Sequence, residues 1–236
     1  MHKQNSTKQP KKAFFPISVD NSGFNTELIL SALSTLRDKY DEIVFLIADD
    51  LQLYNKASVL QGESSLGATI REFNSKNVYF IEKRRWLLKL RQQLPADVRN
   101  AVWTFTNISK TTDRTFYAIM RNVSILYELS SEFRRDVDEA AHSYCSRTKI
   151  HFSAPQLGLS VHYILEEIAI NIRLRLFEGL YAEYYAFDLP KPLLKLYAGN
   201  YDVTVFSMAG LSPNNTTYEF YTFRNGRSPT WVIATR

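Results

Sequence analysis

The fold of this chain is decided by the stretch Glu42–Asp49, which reads EIVFLIAD. A continuous β-branched and aliphatic run of this kind is typical of a strand covered on both faces, as in parallel sheets. A second apolar run, Ala13–Val19, precedes it and ends in a turn sequence, and a third, Asn77–Glu82, follows it. Between the first two runs, leucines at helical spacing predict a helix over Thr26–Tyr40. Strands that alternate with helices in this order favour an α/β fold with a mostly parallel sheet and right-handed crossovers.

The rest of the chain is predicted to add helices first and strands later. The patterns indicate, in order, a helical stretch broken once over Thr112–Cys145, a buried helix over Leu159–Leu180, a strand over Ala182–Phe187, a short helix from Pro190 to Leu196 and a strand over Asp202–Phe206. The turn sequence Arg224-Asn225-Gly226 lies between two β-rich segments and predicts a C-terminal β-hairpin.

Composition predicts one folded domain in a reducing compartment. No linker divides the 236 residues, so residues 13–236 are expected to form a single domain after a disordered basic tail, residues 1–12. Cys145 is the only cysteine, which excludes an internal disulfide and fits a cytoplasmic protein. No apolar run is long enough to span a membrane. A net charge of +5 permits a polyanionic partner without requiring one.

Three side chains are candidates for chemistry. Ser18 follows the first strand, where open α/β sheets bind ligands. Tyr163 and Glu167 are four residues apart and so share one helix face. Together they supply a nucleophile, a hydroxyl donor and a proton shuttle. Structural roles are the alternative, namely a turn serine, a packing tyrosine and a surface glutamate. The apolar helix argues that Glu167 needs a partner or a cavity, although its neighbour Glu166 offers a second, solvent-facing carboxylate.

A basic segment follows the third predicted strand, and we call it the basic helix. It reads KRRWLLKLR and carries five cations in nine residues: Lys83, Arg84, Arg85, Lys89 and Arg91. Cations on one side of a helix neutralise a nucleic-acid backbone without reading its sequence. A solvated amphipathic helix is the alternative interpretation.

Neither a metal nor a cofactor is expected. The four histidines do not form a metal-binding pattern, and His142 with Cys145 is only an i,i+3 pair that needs further ligands. Neither of the glycine-rich phosphate-binding motifs occurs, so nucleotide binding has no local support. An enzyme built on this sequence must therefore use a substrate that is already activated.

These motifs together resemble the cyclodipeptide synthases, a Rossmann-like family similar to the catalytic domain of class Ic aminoacyl-tRNA synthetases. That family has a serine after the first strand with an asparagine three residues on, matched here by Ser18 and Asn21. Its Tyr-x-x-x-Glu pair is matched by Tyr163 and Glu167. A tyrosine before a proline-containing turn and a helix that ends in glycine is matched by Tyr185. The basic helix is also a family feature, and the match runs from Phe14 to Gly199.

The resemblance implies a Rossmann-like sheet with helices on both faces, and an enzyme that makes a cyclic dipeptide from two aminoacyl-tRNAs. Ser18 is then the nucleophile, Tyr163 and Glu167 hold the substrate amine, Tyr185 supports transfer and Asn21 binds substrate. The basic helix is the expected tRNA contact. No metal, cofactor or membrane partner is implied, and the oligomeric state stays open, although members are often monomers.

The chain departs from the family pattern at two positions and leaves alternatives open. Pro16 stands where a glycine is usual, and Ala186 follows the tyrosine where His, Gln or Pro is common. Tyr184 is a second candidate for the role given to Tyr185. A non-catalytic RNA-binding protein and a hydrolase that pairs Ser18 with a histidine are the other functions considered, and the sequence does not indicate which amino acids are joined.

Overall fold

The structure is a computed structural model of the chain. It describes residues 12–18, 26–36, 40–48, 102–104, 115–148, 153–178, 180–185, 191–198, 201, 218–222 and 230–234, together with residues 85, 86, 88–90, 92–94 and 96 of the segment that contains the basic helix.

Helices and strands alternate at the start of the chain, and helices dominate its middle. The strands are β1 (Lys12–Ser18), β2 (Glu42–Ala48), β3 (Val102–Thr104), β4 (Leu180–Tyr185), β5 (Tyr218–Thr222) and β6 (Thr230–Ala234). The helices with defined bounds are α1 (Thr26–Leu36), α2 (Thr115–Leu129), α3 (Ser131–Thr148), α4 (Ala154–Glu178) and α5 (Lys191–Ala198).

All six strands belong to one sheet, in the order β3-β2-β1-β4-β5-β6. Strands β1 to β5 are parallel, whereas β6 pairs antiparallel with β5. β1 lies between β2 and β4, with Ser18 opposite Ala48 on one side and Phe14 opposite Glu183 on the other. The chain therefore builds outward from β1 first in one direction and later in the other, which is the order of a doubly wound sheet.

Helices cover both faces of the sheet. Phe14 and Val44 belong to a buried cluster that includes residues of α2, α3, α4 and α5. Phe15 and Phe45, whose ring centroids are 5.5 Å apart, belong to a second cluster with α1 and with Leu90 of the basic helix. Successive strand residues alternate between these faces, so β1 is apolar over residues 13–17 and β2 over residues 43–48. Each fully buried phenylalanine of this kind contributes about 1.5–3 kcal/mol.

The predicted break in the central helical stretch lies at Ser130, between α2 and α3. Its Oγ accepts the backbone N–H of Phe133 at 3.2 Å, as an N-cap residue does. The guanidinium of Arg134 donates to the carbonyl of Tyr127 at 3.0 Å and to that of Glu128, which satisfies acceptors at the end of α2. A helix start and a helix end are thus stabilised at one corner.

The α/β fold with a mainly parallel sheet is confirmed, with differences at its edges. β1 begins at Lys12, whose Nζ lies 3.5 Å from Glu42 Oε2, so the strand starts one residue before the predicted run. α4 begins at Ala154, earlier than predicted. The strand beside β2 is β3, which we did not predict from the sequence. The strands predicted over Asn77–Glu82 and Asp202–Phe206 lie outside the described residues.

Candidate active site at the carboxyl edge of the sheet

Two of the candidate residues end neighbouring strands. Ser18 is the last residue of β1, and Tyr185 is the last residue of β4. Because β1 and β4 are adjacent and parallel, both ends lie at the same edge of the sheet. β1 is also the strand from which the chain leaves in opposite directions, and open α/β sheets bind ligands at such a switch point.

The helix before β4 brings the other two candidates to the level of this edge. α4 ends at Glu178, immediately before β4 begins at Leu180. Glu167 lies eleven residues before the end of α4, or about 17 Å at 1.5 Å per residue. The six residues of β4 also span about 17 Å. Because a helix that connects parallel strands runs antiparallel to them, we expect α4 to carry Glu167, and Tyr163 one turn beyond it, near the level of the strand ends.

Glu167 has the surroundings of a functional carboxyl group. Its side chain is partly buried, and desolvation by burial raises its pKa to about 7. Tyr163 is also partly buried and packs against the cluster on the α4 face of the sheet. A carboxyl group with a pKa near 7 exchanges a proton readily at neutral pH, which suits a proton shuttle.

The adjacent Glu166 differs from Glu167. Its Oε2 lies 3.7 Å from Nε2 of His162, and its side chain is only 16% exposed. Burial lowers the pKa of His162, which disfavours the charged partner of this pair. The interpretation of Glu166 as the solvent-facing member is therefore wrong, because both carboxylates are partly buried against different neighbours.

Three buried polar residues of α4, namely Ser160, Asn171 and Arg173, were not singled out from the sequence. Ser160 and Asn171 are each 1% exposed. Nδ2 of Asn171 donates to the carbonyl of Glu167 at 3.0 Å. Among the described residues, Ser160 Oγ and Asn171 Oδ1 have no hydrogen-bond partner. The spacing of Ser160 and Asn171 could have indicated a role near Glu167, because positions 160, 167 and 171 fall on one side of α4.

The described part of the basic helix presents its cations outward. Arg85 and Lys89 are exposed, whereas Leu90 is buried in the α1 cluster and Trp86 packs against that cluster. This arrangement fits both the phosphate-binding interpretation and the solvated one. The candidate residues Asn21, Lys83, Arg84 and Arg91 lie outside the described residues.

Within the described residues, no group of three or more His, Cys, Asp or Glu side chains is placed to hold a metal ion. No described helix is long and apolar enough to cross a membrane.

This strand order, with candidate residues at the ends of central strands, is that of a Rossmann-like fold. We therefore compared the chain with known protein families and solved structures. No known family profile matches the chain. No curated protein matches it either. Solved structures do, and those that match include cyclodipeptide synthases. One from Streptomyces noursei has a TM-score of 0.61 at 14% identity, over 91% of this chain and 95% of that one.

Two further solved structures of cyclodipeptide synthases have a fold similar to that of this chain. A cyclodipeptide synthase from Bacillus thermoamylovorans has a TM-score of 0.60 at 16% identity, over 80% of this chain and 81% of that one. One from Candidatus Glomeribacter gigasporarum, bound to Phe-tRNAPhe, has a TM-score of 0.56 at 15% identity, over 92% of this chain and 89% of that one. The chain therefore has the cyclodipeptide synthase fold, which confirms the resemblance inferred from its motifs at the level of the fold.

Proposed function

We propose that this chain is a tRNA-dependent cyclodipeptide synthase. It joins two aminoacyl groups from aminoacyl-tRNAs into a cyclic dipeptide, a 2,5-diketopiperazine. The observation that carries the proposal is the adjacency of β1 and β4, because it brings the strand ends at Ser18 and Tyr185 to one edge. Tyr163 and Glu167 belong to α4, the helix that precedes β4.

The chemistry needs a nucleophile and a group that moves protons. Ser18 Oγ attacks the ester carbonyl of a first aminoacyl-tRNA, the ribose hydroxyl of the tRNA leaves, and an aminoacyl-serine ester remains. The α-amino group of a second aminoacyl-tRNA attacks that ester and frees Ser18. The dipeptide is then esterified to the second tRNA. Ser18 attacks this ester, the ribose hydroxyl of the second tRNA leaves, and a dipeptidyl-serine ester forms. The free amine of the dipeptide closes on that ester, which releases the ring and frees Ser18. Tyr163 and Glu167 hold the amine in these steps, and Glu167 accepts its proton.

The register of the sheet supports this choice of residues. Phe14 of β1 pairs with Glu183 of β4, and residues opposite each other in a parallel pair belong to the same face. Phe14 packs in the cluster on the α4 face. Positions 18 and 185 have the same parity along their strands as Phe14 and Glu183. Position 184 has the opposite parity, which favours Tyr185 for the catalytic role.

The expected substrate explains two features of the chain. An aminoacyl ester on tRNA is already activated, so the reaction needs no nucleotide-binding motif. A polyanionic substrate also gives a function to the exposed Arg85 and Lys89 of the basic helix. One solved structure with this fold is bound to Phe-tRNAPhe.

Purified protein, a mixture of charged tRNAs and mass spectrometry of the products test the proposal directly. We expect cyclic dipeptides that depend on both protein and charged tRNA. Retained tRNA binding with no cyclic product would instead favour the non-catalytic RNA-binding function. Release of free amino acids without cyclic product would favour the hydrolase.

The two tyrosines at the end of β4 give a test of register. We expect Tyr185→Phe to lower the initial rate of cyclic dipeptide formation by about 10- to 100-fold with little loss of stability, since only a hydroxyl is removed. Tyr184→Phe is the matched control and should leave the rate nearly unchanged. The opposite pattern would move the role to Tyr184, and equal small effects would remove this tyrosine from the catalytic set.

The basic helix is tested through the salt dependence of tRNA binding. Replacing Arg84, Arg85, Lys89 and Arg91 by glutamine removes up to four phosphate contacts. The slope of log K against log salt should then fall by about 0.7–0.9 for each lost contact. Arg121→Gln on α2, which removes an exposed cation from a different helix, is the control. An unchanged slope in the fourfold variant would identify this helix as a solvated face.

A further inference from the structure

α3 carries a completely buried carboxylate that lies between two lysine ammonium groups and a tyrosine hydroxyl. Asp136 has 0% exposure, and three donors surround it. Lys191 Nζ lies 2.8 Å from Oδ1, Lys195 Nζ lies 2.8 Å from Oδ2, and the hydroxyl of Tyr201 donates to Oδ2 at 2.8 Å. A buried carboxylate is stable only with such partners, so this cluster is a specific contact.

Two further carboxylates of α3, of the exposed Glu139 and the half-buried Glu132, reinforce the same contact. Glu139 lies 2.8 Å from Lys191 Nζ, and Glu132 lies 2.7 Å from Lys195 Nζ. Burial alone would raise the pKa of Asp136, but hydrogen bonds from the two lysines and from Tyr201 outweigh it and hold the pKa at about 2. Asp136 is therefore ionised at neutral pH.

The partners of Asp136 bracket α5. Lys191 is the first residue of α5, Lys195 lies one turn further on, and Tyr201 lies three residues beyond its last residue, Ala198. The Tyr201 ring also packs edge-on against Phe133 of α3, with centroids 5.1 Å apart. A single side chain thus holds both ends of a helix that is only eight residues long and that could not keep its position by its own stability.

The clamped helix follows directly after a candidate catalytic residue. Tyr185 ends β4, where it pairs with Thr222 of β5, and five residues, 186–190, connect it to Lys191. We propose that Asp136 is a positioning residue for the active site. It fixes the end of this connection at α5, as the sheet fixes the other end, and so maintains the placement of Tyr185. This inference rests on the proposed function.

The chain contains a matched control on the same helix. Asp138 accepts the hydroxyl of Tyr127 at 2.7 Å, which is nearly the same bond that Asp136 accepts from Tyr201. Asp138 is only partly buried, however, and its partner belongs to α2 and not to α5. Asp136→Asn and Asp138→Asn therefore each replace the charged acceptor of a tyrosine hydroxyl with a neutral amide, but only the first should loosen α5.

Amide hydrogen exchange of the full-length protein tests the clamp without reference to activity. We expect Asp136→Asn to accelerate exchange over residues 186–198 on the order of tenfold, and Asp138→Asn to leave that segment unchanged. Lys191→Met, which alters only the half-exposed side of the cluster, should give a smaller acceleration in the same segment and serves if Asp136→Asn does not fold. If Asp136→Asn folds, equal exchange rates over residues 186–198 in the Asp136 and Asp138 variants overturn the clamp. If Asp136→Asn does not fold, an unchanged exchange rate in Lys191→Met overturns it.

Steady-state kinetics tests the positioning role. Misplacement of a catalytic group by about 1 Å can cost 100-fold in rate, so we expect kcat for cyclic dipeptide formation to fall about 10- to 100-fold in Asp136→Asn and less in Lys191→Met. KM for charged tRNA should stay within about twofold, because the basic helix is untouched. Faster exchange with normal kcat overturns the positioning role. If the native protein forms no cyclic dipeptide, the proposed function fails, whereas the exchange comparison still decides whether the clamp exists.

Discussion

Ser18→Ala should abolish the covalent aminoacyl intermediate and lower cyclic dipeptide formation by about 10³-fold or more. The reason is that the serine oxygen holds the aminoacyl group between the two tRNAs, and no other described group at this edge can replace it. Ser18 ends β1 and is not needed to maintain the pairing of Phe14 or Phe15 with the neighbouring strands, so we expect the fold to be retained. The measurement is labelled protein after incubation with radioactive aminoacyl-tRNA, quenching and denaturing electrophoresis.

Two further variants sharpen this experiment. Ser34→Ala removes an exposed serine of α1 whose hydroxyl only donates to the carbonyl of Ser31, and it should label like the native protein. Ser18→Cys restores a nucleophile at the same position and should recover labelling as a thioester. Labelled Ser18→Ala protein would show that the acyl group is carried elsewhere, and the proposed mechanism would be wrong.

The parts of the fold that were predictable share a strong and local pattern. β1, β2 and α2 to α4 follow from continuous apolar runs or from helical spacing. One break in the central helical stretch was predicted, but its position at Ser130 was not. β3 was missed because three residues are too few to establish a period. The adjacency of β1 and β4 has no local signal either, because it joins segments separated by most of the helical layer. The resemblance implied only that Ser18 and Tyr185 belong to one active site, and not which strands pair.

The candidate site also has features that were predictable from the sequence and features that were not. The positions of Ser18, Tyr163 and Glu167 in the chain were sufficient to propose a site, but the state of Glu167 was not predictable, since desolvation depends on what packs around the carboxyl group. Asp136 and Asp138 are indistinguishable by composition within the polar helix α3. Asp136 is the one that is fully buried, and its partner Tyr201 lies 65 positions further along the chain, so no local pattern indicates the difference.

Glu167→Gln should abolish product formation while leaving the protein at least as stable as the native form. The amide keeps the shape of the side chain but neither carries a charge nor moves a proton. We also expect log kcat of the native protein to change slope near pH 7, where Glu167 exchanges its proton. Glu166→Gln is the neighbouring control, because its carboxylate faces His162, and it should retain most of the activity.

The pH dependence of stability separates this role from a structural one. The folded protein releases the proton of Glu167 near pH 7, whereas the unfolded chain releases it near the ordinary value of 4.5. Because the pKa is raised on folding, the native state binds more protons than the unfolded state in this interval, and stability falls as pH rises from about 4.5 to about 7. Glu167→Gln removes that loss, so its free energy of unfolding at pH 8 should equal or exceed the native value by about 1–3 kcal/mol in urea titrations. A variant that is less stable than the native protein at pH 8 would identify Glu167 as a structural ion-pair partner, and its proposed role in proton transfer would fail.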